Sequence, residues 1–175
     1  MSRKGLLSLL AAACIMLPAV VRGGTSTDTV TVNGTVAQFA EWSSTTDTIT
    51  IATPLSSVSV PQTGSVNLTL YANKATTITA AGGTHAGVLT DGGAHTLTTK
   101  YKLTGAGLTT PDGAYKVADS ANAGEFFHAG NTYAIDYQAG TGSYAVTLSV
   151  QMSAPPGAAP VSGAYSCDIV LTATF

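Results

Sequence analysis

Charged residues are scarce in this chain of 175 residues: they make up 9% of it, against about 25% in ordinary globular proteins. A surface so poor in charge has little electrostatic defence against self-association. Three basic residues, Arg3, Lys4 and Arg22, lie near the N-terminus. The rest carries four lysines against nine acidic residues, a formal net charge of −5. This balance leaves no basic patch for nucleic acid.

Cysteine is also scarce, with only Cys14 and Cys167. Cys14 lies in an apolar N-terminal run, so Cys167 is the one cysteine left if that run is removed. A single cysteine cannot form an internal disulfide, and metal sites built on several cysteines are excluded. The roughly 150 remaining residues are enough to form a hydrophobic core that holds the domain without disulfides.

The N-terminus has the organisation of a secretory signal peptide. Arg3 and Lys4 precede the apolar run Leu6–Val21, and Val21-Arg22-Gly23 offers a cleavage site. We expect a signal peptide over residues 1–23 and one domain over 24–175, secreted and without a membrane span. Two alternatives are a transmembrane anchor, for which the run is short of the ~20 residues required, and a lipoprotein box ending at Cys14.

No stretch after this leader has a sustained helical period, whereas alternation of apolar and polar residues is widespread. Gly- and Pro-containing turns separate the alternating runs, which predicts an all-β fold, an antiparallel β-sandwich in a single domain. A Pro/Ala-rich stretch at 154–160 is predicted to be a loop. The predicted strands are 28–38, 47–53, 64–71, 76–80, 96–104, 132–137, 142–152 and 163–175, with a short extended piece around Val58 and Val60.

The two ends of this domain have the clearest faces. In the final strand the row facing the core is Tyr165, Cys167, Ile169, Leu171, Ala173 and Phe175. In the first strand the apolar row is Val30, Val32, Gly34 and Val36. An edge strand at a free terminus can complete its own sheet or be donated to a neighbouring subunit.

The sequence contains no pattern typical of an enzyme. His85, His95 and His128 are ten and thirty-three residues apart, without an acidic neighbour at a useful spacing, so we expect no metal site and no cofactor. No Gly-x-Ser-x-Gly motif marks a nucleophilic serine. Trp42, the only tryptophan, is a candidate platform for stacking against sugar rings, or else a plug of the core.

The segment Asp28-Thr-Val-Thr-Val-Asn-Gly-Thr-Val-Ala37 resembles the N-terminal extension of bacterial chaperone–usher pilins. The end of the chain, Ala154-Pro-Pro-Gly-Ala-Ala-Pro160 followed by Gly163-Ala-Tyr165 and an alternating strand, resembles the cysteine-poor colonization-factor pilins. It is also similar to the related spore-coat-U-type secreted proteins. The resemblance covers about thirty residues at the two ends.

This resemblance implies an incomplete immunoglobulin-like sandwich that is filled by the N-terminal strand of another subunit. Val30, Val32, Gly34 and Val36 would form the donated row. The chain would then be a structural or adhesive subunit of a cell-surface fibre or coat. Its partners would be other fibre subunits, with a periplasmic chaperone and an outer-membrane usher during export.

Two alternatives remain open at this stage. A monomeric secreted sandwich that binds carbohydrate or a cell surface has the same composition and the same strand pattern. A small outer-membrane β-barrel also ends in a C-terminal Phe after an alternating strand, as Phe175 does.

Overall fold

A computed structural model describes residues 28–56, 58 and 60–175 of the chain. The predicted signal peptide, residues 1–23, lies outside the described residues. By its internal contacts the chain divides into two units, Met1–Thr35 and Val36–Phe175. In the first unit the described residues, 28–35, are exposed and contain neither helix nor strand.

The second unit is built of β-strands in two antiparallel sheets, which confirms the predicted β-sandwich class. One sheet has five strands in the order β1-β2-β7-β4-β5, and the other has three in the order β6-β3-β8. A short 3₁₀ turn, Thr84–Gly87, follows β3. The strands are β1 (Ala40–Trp42), β2 (Gln62–Ala72), β3 (Thr77–Gly82), β4 (Thr98–Thr104), β5 (Lys116–Val117), β6 (Tyr133–Ala134), β7 (Ser143–Ser153) and β8 (Ile169–Thr174).

The centre of the large sheet is the long antiparallel pair β2–β7, whose register runs from Gln62 opposite Met152 to Tyr71 opposite Ser143. Alternation along β7 suits a strand in the middle of this sheet, because every second side chain is apolar and faces the other sheet. These inward residues are buried: Tyr144, Val146, Leu148 and Val150.

Aromatic side chains from β4, from β6 and from the loop between β5 and β6 pack together in one part of the core. Tyr101 of β4 packs against Phe126 and Phe127, with ring centroids 5.3 and 5.5 Å apart, and Tyr133 of β6 lies 6.2 Å from Phe126. Fully burying a ring of this kind contributes about 1.5–3 kcal/mol. The loop between β5 and β6 is therefore fixed by its two phenylalanines although it has no regular structure.

A buried carboxylate, Asp112, holds the loop after β4 onto this core. It accepts hydrogen bonds from the Leu103 backbone N–H and the Tyr133 hydroxyl, each at 2.9 Å, and it pairs with Lys116 at 2.8 Å. A buried carboxylate is tolerated only when it is paired in this way. Burial, and secondly the charge of Asp112, raise the pKa of the Tyr133 hydroxyl.

The structure differs from the predicted strands at both ends. No strand is present over 28–38 or over 47–53, and the last strand begins at Ile169 instead of residue 163. A strand exists only where a ladder of hydrogen bonds reaches a partner, and alternation alone does not supply one. The predicted loop 154–160 has neither helix nor strand, and Val58 and Val60 are exposed outside any strand.

Among the described residues, no helix has the length and apolar character needed to cross a membrane.

Candidate functional site

An open groove of about 940 Å³ lies between the two sheets. We use "open groove" for this space, whose lining combines apolar side chains with polar ones such as Asp47, Thr69 and Asp168. One wall is the inward face of the large sheet, and the opposite wall is the inward row of β8 with the residues just before it. The apolar side chains of these walls are Val66, Leu68, Leu148, Val150, Met152, Tyr165, Cys167, Ile169 and Leu171.

The groove exists because β8 is an edge strand. Its hydrogen-bonded neighbour is β3, and no strand pairs with its other edge in the described part of the chain. Along β8 the inward residues Ile169, Leu171 and Ala173 are only half-buried, whereas the inward row of β7 is buried. The last strand therefore keeps one unpaired edge beside the groove in the described part of the chain.

The segment 47–53 forms the far flank of the groove. It carries Ile49 and Ile51 on one side and threonines on the other, and both isoleucines are half-buried and border the groove. The segment lies close to β2 because Gly64 has no side chain there. A Cβ at Gly64 would lie 2.8 Å from Ile49 Cγ2 and 3.1 Å from Ile51 Cγ1.

Trp42 borders one end of the groove. It lies opposite Leu70 in the β1–β2 register, whereas Met152, which also borders the groove, lies opposite Gln62. These two positions on β2 are eight residue steps apart, which corresponds to about 27 Å of strand. The Trp42 ring packs half-buried against the core, and its Nε1 is buried without a hydrogen-bond partner among the described residues. This position matches the predicted core plug better than an exposed platform for sugar.

Cys167 lies in the wall of the groove beside a buried tyrosine. Its Sγ is 3.1 Å from the Tyr101 hydroxyl oxygen, and that hydroxyl donates to the Gly87 carbonyl at 2.8 Å. Burial raises the pKa of the Cys167 thiol; the hydrogen bond with Tyr101 opposes that rise and the charge of Asp168 adds to it. Burial, and secondly Cys167, raise the pKa of the Tyr101 hydroxyl. Both groups are therefore mostly neutral at pH 7, which lowers the reactivity of the thiol at that pH.

The four predicted donor positions belong to an exposed stretch that we call the N-terminal arm, residues 28–36. Val30, Val32 and Val36 are 78, 88 and 80% exposed. The site of a Cβ at Gly34 is open space among the described residues. Exposure of three valines in one period-two row is unusual, because such a row is normally the buried face of a strand.

The chain is fixed to the domain immediately after this arm. The Asn73 side chain donates to the Ala37 carbonyl at 2.8 Å and accepts from the Phe39 N–H at 2.9 Å. The amide group thus takes the place of a strand neighbour for these two residues. Asn73 is held in turn by the Tyr137 hydroxyl, which donates to its carbonyl at 2.9 Å.

Most residues of the row predicted to face the core from the final strand line the groove, but the last residue of that row does not. Tyr165 and Cys167 line the groove ahead of β8, and Ile169 and Leu171 line it within β8. Phe175 was assigned to the core and is instead 52% exposed, with Lys74 Nζ 5.9 Å from its ring centroid. Phe175 lies one residue beyond the end of β8, and no strand among the described residues pairs with it.

The histidines do not form a site. His95 Nδ1 lies 2.6 Å from Asp91 Oδ2, which corrects the expectation that no histidine has an acidic neighbour at a useful spacing. This hydrogen bond is the main cause of the lowered pKa of Asp91. His85 and His128 lie apart from this pair along the chain, and the described residues contain no group of three metal-ligating side chains.

Ile49 and Ile51 are the groove residues that the sequence did not point to. Their alternation was visible, but it predicted an ordinary strand within the sandwich, not the flank of an opening. Local alternation does not reveal whether a segment has a strand to pair with. That knowledge requires the number and order of the strands in each sheet. No protein family model, curated protein or solved structure matches the chain.

Proposed function

We propose that this protein is a structural or adhesive subunit of a bacterial surface fibre or coat, and that subunits join by strand complementation. The N-terminal arm of one copy would occupy the open groove of the next. The observation that carries this proposal is the groove itself, an opening beside the free edge of β8 with apolar side chains on both walls. In this proposal the sandwich is of the incomplete immunoglobulin-like type.

The arm and the groove fit each other in chemistry. The groove lining contains apolar side chains from both sheets, among them Leu68 and Leu171, and the arm offers an apolar row of three valines on one face. Backbone groups at the free edge of β8 would gain ladder hydrogen bonds from the arm, as in other cases of strand addition. Gly34 would lie where the groove has no room for a side chain.

The lengths fit as well. Residues 28–36 cover eight residue steps, about 27 Å when extended, which equals the span between the groove positions opposite Gln62 and Leu70. Asn73 fixes the chain at Ala37 and Phe39, so the free stretch 28–36 ends immediately before those residues. The low charge of the chain removes an obstacle to close packing of many copies.

Export and partners follow from the same proposal. A subunit whose groove exposes apolar side chains needs another protein to occupy that groove until the next copy binds, because a large exposed apolar surface promotes aggregation. A periplasmic chaperone would supply that cover, and an outer-membrane usher would pass the subunit to the cell surface. The protein would act without catalysis and without a cofactor.

Deletion of residues 24–37 tests this function. The described part of this stretch is exposed, so we expect the shortened protein to remain folded and to be monomeric. Adding a peptide of residues 28–37 at about 100 times its dissociation constant should raise Tm by roughly 5–10 °C. The matched control is the same peptide with Val32→Asp, which should leave Tm unchanged.

The opposite result would favour a monomeric surface-binding module. In that case the shortened protein would unfold, the peptide would not restore it, and the full-length protein would remain monomeric at every concentration. Such an outcome would mean that the arm completes its own domain in solution.

A further inference from the structure

The side of the large sheet that points away from the groove is a broad polar surface. Side chains alternate along β2, β7 and β4, so every second one points out of the core. We call these three outward rows together the outer face. Apart from Ala145 and Tyr71, the outer face consists of hydroxyl, amide and lysine side chains. It lies on the other side of the sheet from Leu68, Leu148 and Val150, which border the groove.

The strand registers arrange the outer face in rungs across the three strands. Two rungs contain lysine, and in the order β2, β7, β4 they are Thr63, Gln151 and Lys100, and Ser65, Ser149 and Lys102. Neighbouring strands are about 4.8 Å apart, and successive outward residues of one strand are about 6.7 Å apart. The outer face therefore presents hydrogen-bonding groups at regular intervals, which suits a ligand that itself repeats.

The outer face carries positive charge although the chain is acidic. Two of the four lysines that follow the predicted leader, Lys100 and Lys102, lie on it, and no Asp or Glu belongs to its rows. Glu41 of β1 points to the same side, opposite Tyr71, but lies six residue steps from the rung of Lys102, about 20 Å along the strands. That distance exceeds the ~8 Å over which exposed charges act in physiological salt.

The two lysines of the outer face have ammonium groups that the domain itself does not use. Lys74 Nζ and Lys116 Nζ already contact side-chain oxygens, at 3.0 and 2.8 Å. Within the described residues, by contrast, the ammonium groups of Lys100 and Lys102 have neither a hydrogen-bond acceptor nor an acidic partner. Lys102 Nζ lies 4.8 Å from the ring centroid of Tyr115, a cation–π contact that orders the side chain without supplying an acceptor for its N–H groups.

We propose that the outer face binds an acidic polysaccharide. Lys100 and Lys102 would pair with carboxylate groups of the sugar chain, and the hydroxyl and amide side chains would bond sugar hydroxyls, since all these groups both donate and accept. A nucleic acid suits this surface less, because phosphate oxygens only accept and a phosphate backbone is bound tightly by more cations than two. Sugar binding here is independent of strand complementation, although repeated copies in a fibre would strengthen it through avidity.

The test uses the chain without residues 1–23, labelled with ¹⁵N and carrying Val32→Asp, which should keep its arm out of a neighbour's groove. The probe is a short oligomer of galacturonic acid at low salt. We expect the amide signals of residues 62–72, 98–104 and 143–153 to shift, while those of 169–174 stay unchanged. The same oligomer with its carboxylates methyl-esterified keeps the sugar and removes the charge, so it should bind at least about fivefold more weakly.

Lysine variants test the contribution of charge at this surface. Lys102→Gln should weaken binding of the acidic oligomer about threefold to fivefold, the upper range for an exposed ion pair. Lys74→Gln changes the net charge equally but lies outside the outer face, so it should bind as the unchanged chain does. The signal shifts need no lysine variant, so they remain decisive even if Lys102→Gln does not fold.

Three results would overturn the sugar site. They are the absence of signal shifts at the outer face, equal binding of the acidic oligomer and its ester, and equal binding by Lys102→Gln. An eight-residue oligothymidylate that binds the same rows more tightly than the sugar would assign the surface to nucleic acid instead. Assembly is measured separately, by the molar mass of the native protein, so a protein that never assembles would end the proposed function and leave the sugar site standing. Loss of sugar binding would likewise leave strand complementation standing.

Discussion

Cys167 is the side chain that reports most directly on the state of the groove. It lines the wall, it is half-buried, and it contacts the Tyr101 hydroxyl at 3.1 Å. Because it is the only cysteine after the predicted leader, any thiol reaction of a protein prepared without residues 1–23 can be assigned to it. Residues of this kind, close to solvent only while a groove is empty, are natural probes of assembly.

The raised pKa of the Cys167 thiol predicts its reactivity with pH. Since burial holds the folded-state pKa above the ordinary value of about 8.5, less thiolate is present at neutral pH than in an exposed cysteine. We expect alkylation by iodoacetamide to be slow at pH 7 and its rate to keep rising above pH 8.5. The urea-unfolded protein is the control and should show an ordinary thiol titration.

Filling the groove should protect Cys167 further. Addition of the 28–37 peptide to the Val32→Asp chain should suppress alkylation at every pH in this range, whereas the Val32→Asp peptide should not. A thiol that reacts equally fast with and without the native peptide would show that this part of the wall stays uncovered.

At the scale of elements, the segment 47–53 and β8 face the groove from its two sides. Both have alternating side chains, and each has a backbone edge without a strand partner in the described chain. An inserted strand lying between them would have two neighbours. The threonine-and-isoleucine segment, which has strand propensity but no ladder, would then become a strand.

Hydrogen exchange tests this element-level expectation. In the Val32→Asp chain, amides of residues 47–53 should exchange rapidly, and binding of the native peptide should slow them about tenfold or more, together with amides of 169–174. Amides of β7 are the internal control, because that strand is paired on both sides before and after binding. Protection of β8 without protection of 47–53 would mean that the incoming strand pairs on one side only.

The same elements show how far the sequence predicts this fold. The bounds of β2 and β7 were predicted to within two residues, because long uninterrupted alternation specifies a half-buried strand, whereas no local pattern predicted that the two strands pair with each other. The three-residue β1 and the two-residue β5 were missed, since so short a run has no measurable period. The strand predicted over 47–53 was wrong, because alternation identifies an apolar face without saying whether a neighbour is present to pair with it.

The candidate site was predictable in part, because alternation identifies which side chains of a strand share one face. Tyr165, Cys167, Ile169 and Leu171 were identified as one inward row, and they line the groove. That the row is half-covered depends on the number of strands in the facing sheet, which no local pattern contains. Phe175 was assigned to the core by continuing the alternation past Thr174, where the ladder ends.

At the scale of the whole molecule, an exposed apolar arm and an open apolar groove are present in one chain. Each is unfavourable in water, and burial of one valine contributes about 1.5–3 kcal/mol. Three valines buried together would give a large share of the 5–15 kcal/mol typical of a whole domain's stability. Association of copies through their arms would therefore be stabilised more than by any single surface contact. Because the chain has little charge, electrostatic repulsion between copies would be weak.

Two single substitutions on neighbouring residues of the arm test this account most directly. Val32→Asp places a charge on the row that would enter the groove, and Thr31→Asp places the same charge on the opposite face. Because the arm is exposed in the isolated chain, both changes should leave Tm nearly unaltered, within about 0.5 kcal/mol of stability.

The measurement is the molar mass of the purified protein without residues 1–23, by size-exclusion chromatography with light scattering over a range of concentrations. We predict that the native protein and Thr31→Asp form oligomers and that Val32→Asp remains monomeric. A native protein that is monomeric throughout, or a Val32→Asp variant that assembles as well as Thr31→Asp, would contradict assembly through the arm and the open groove.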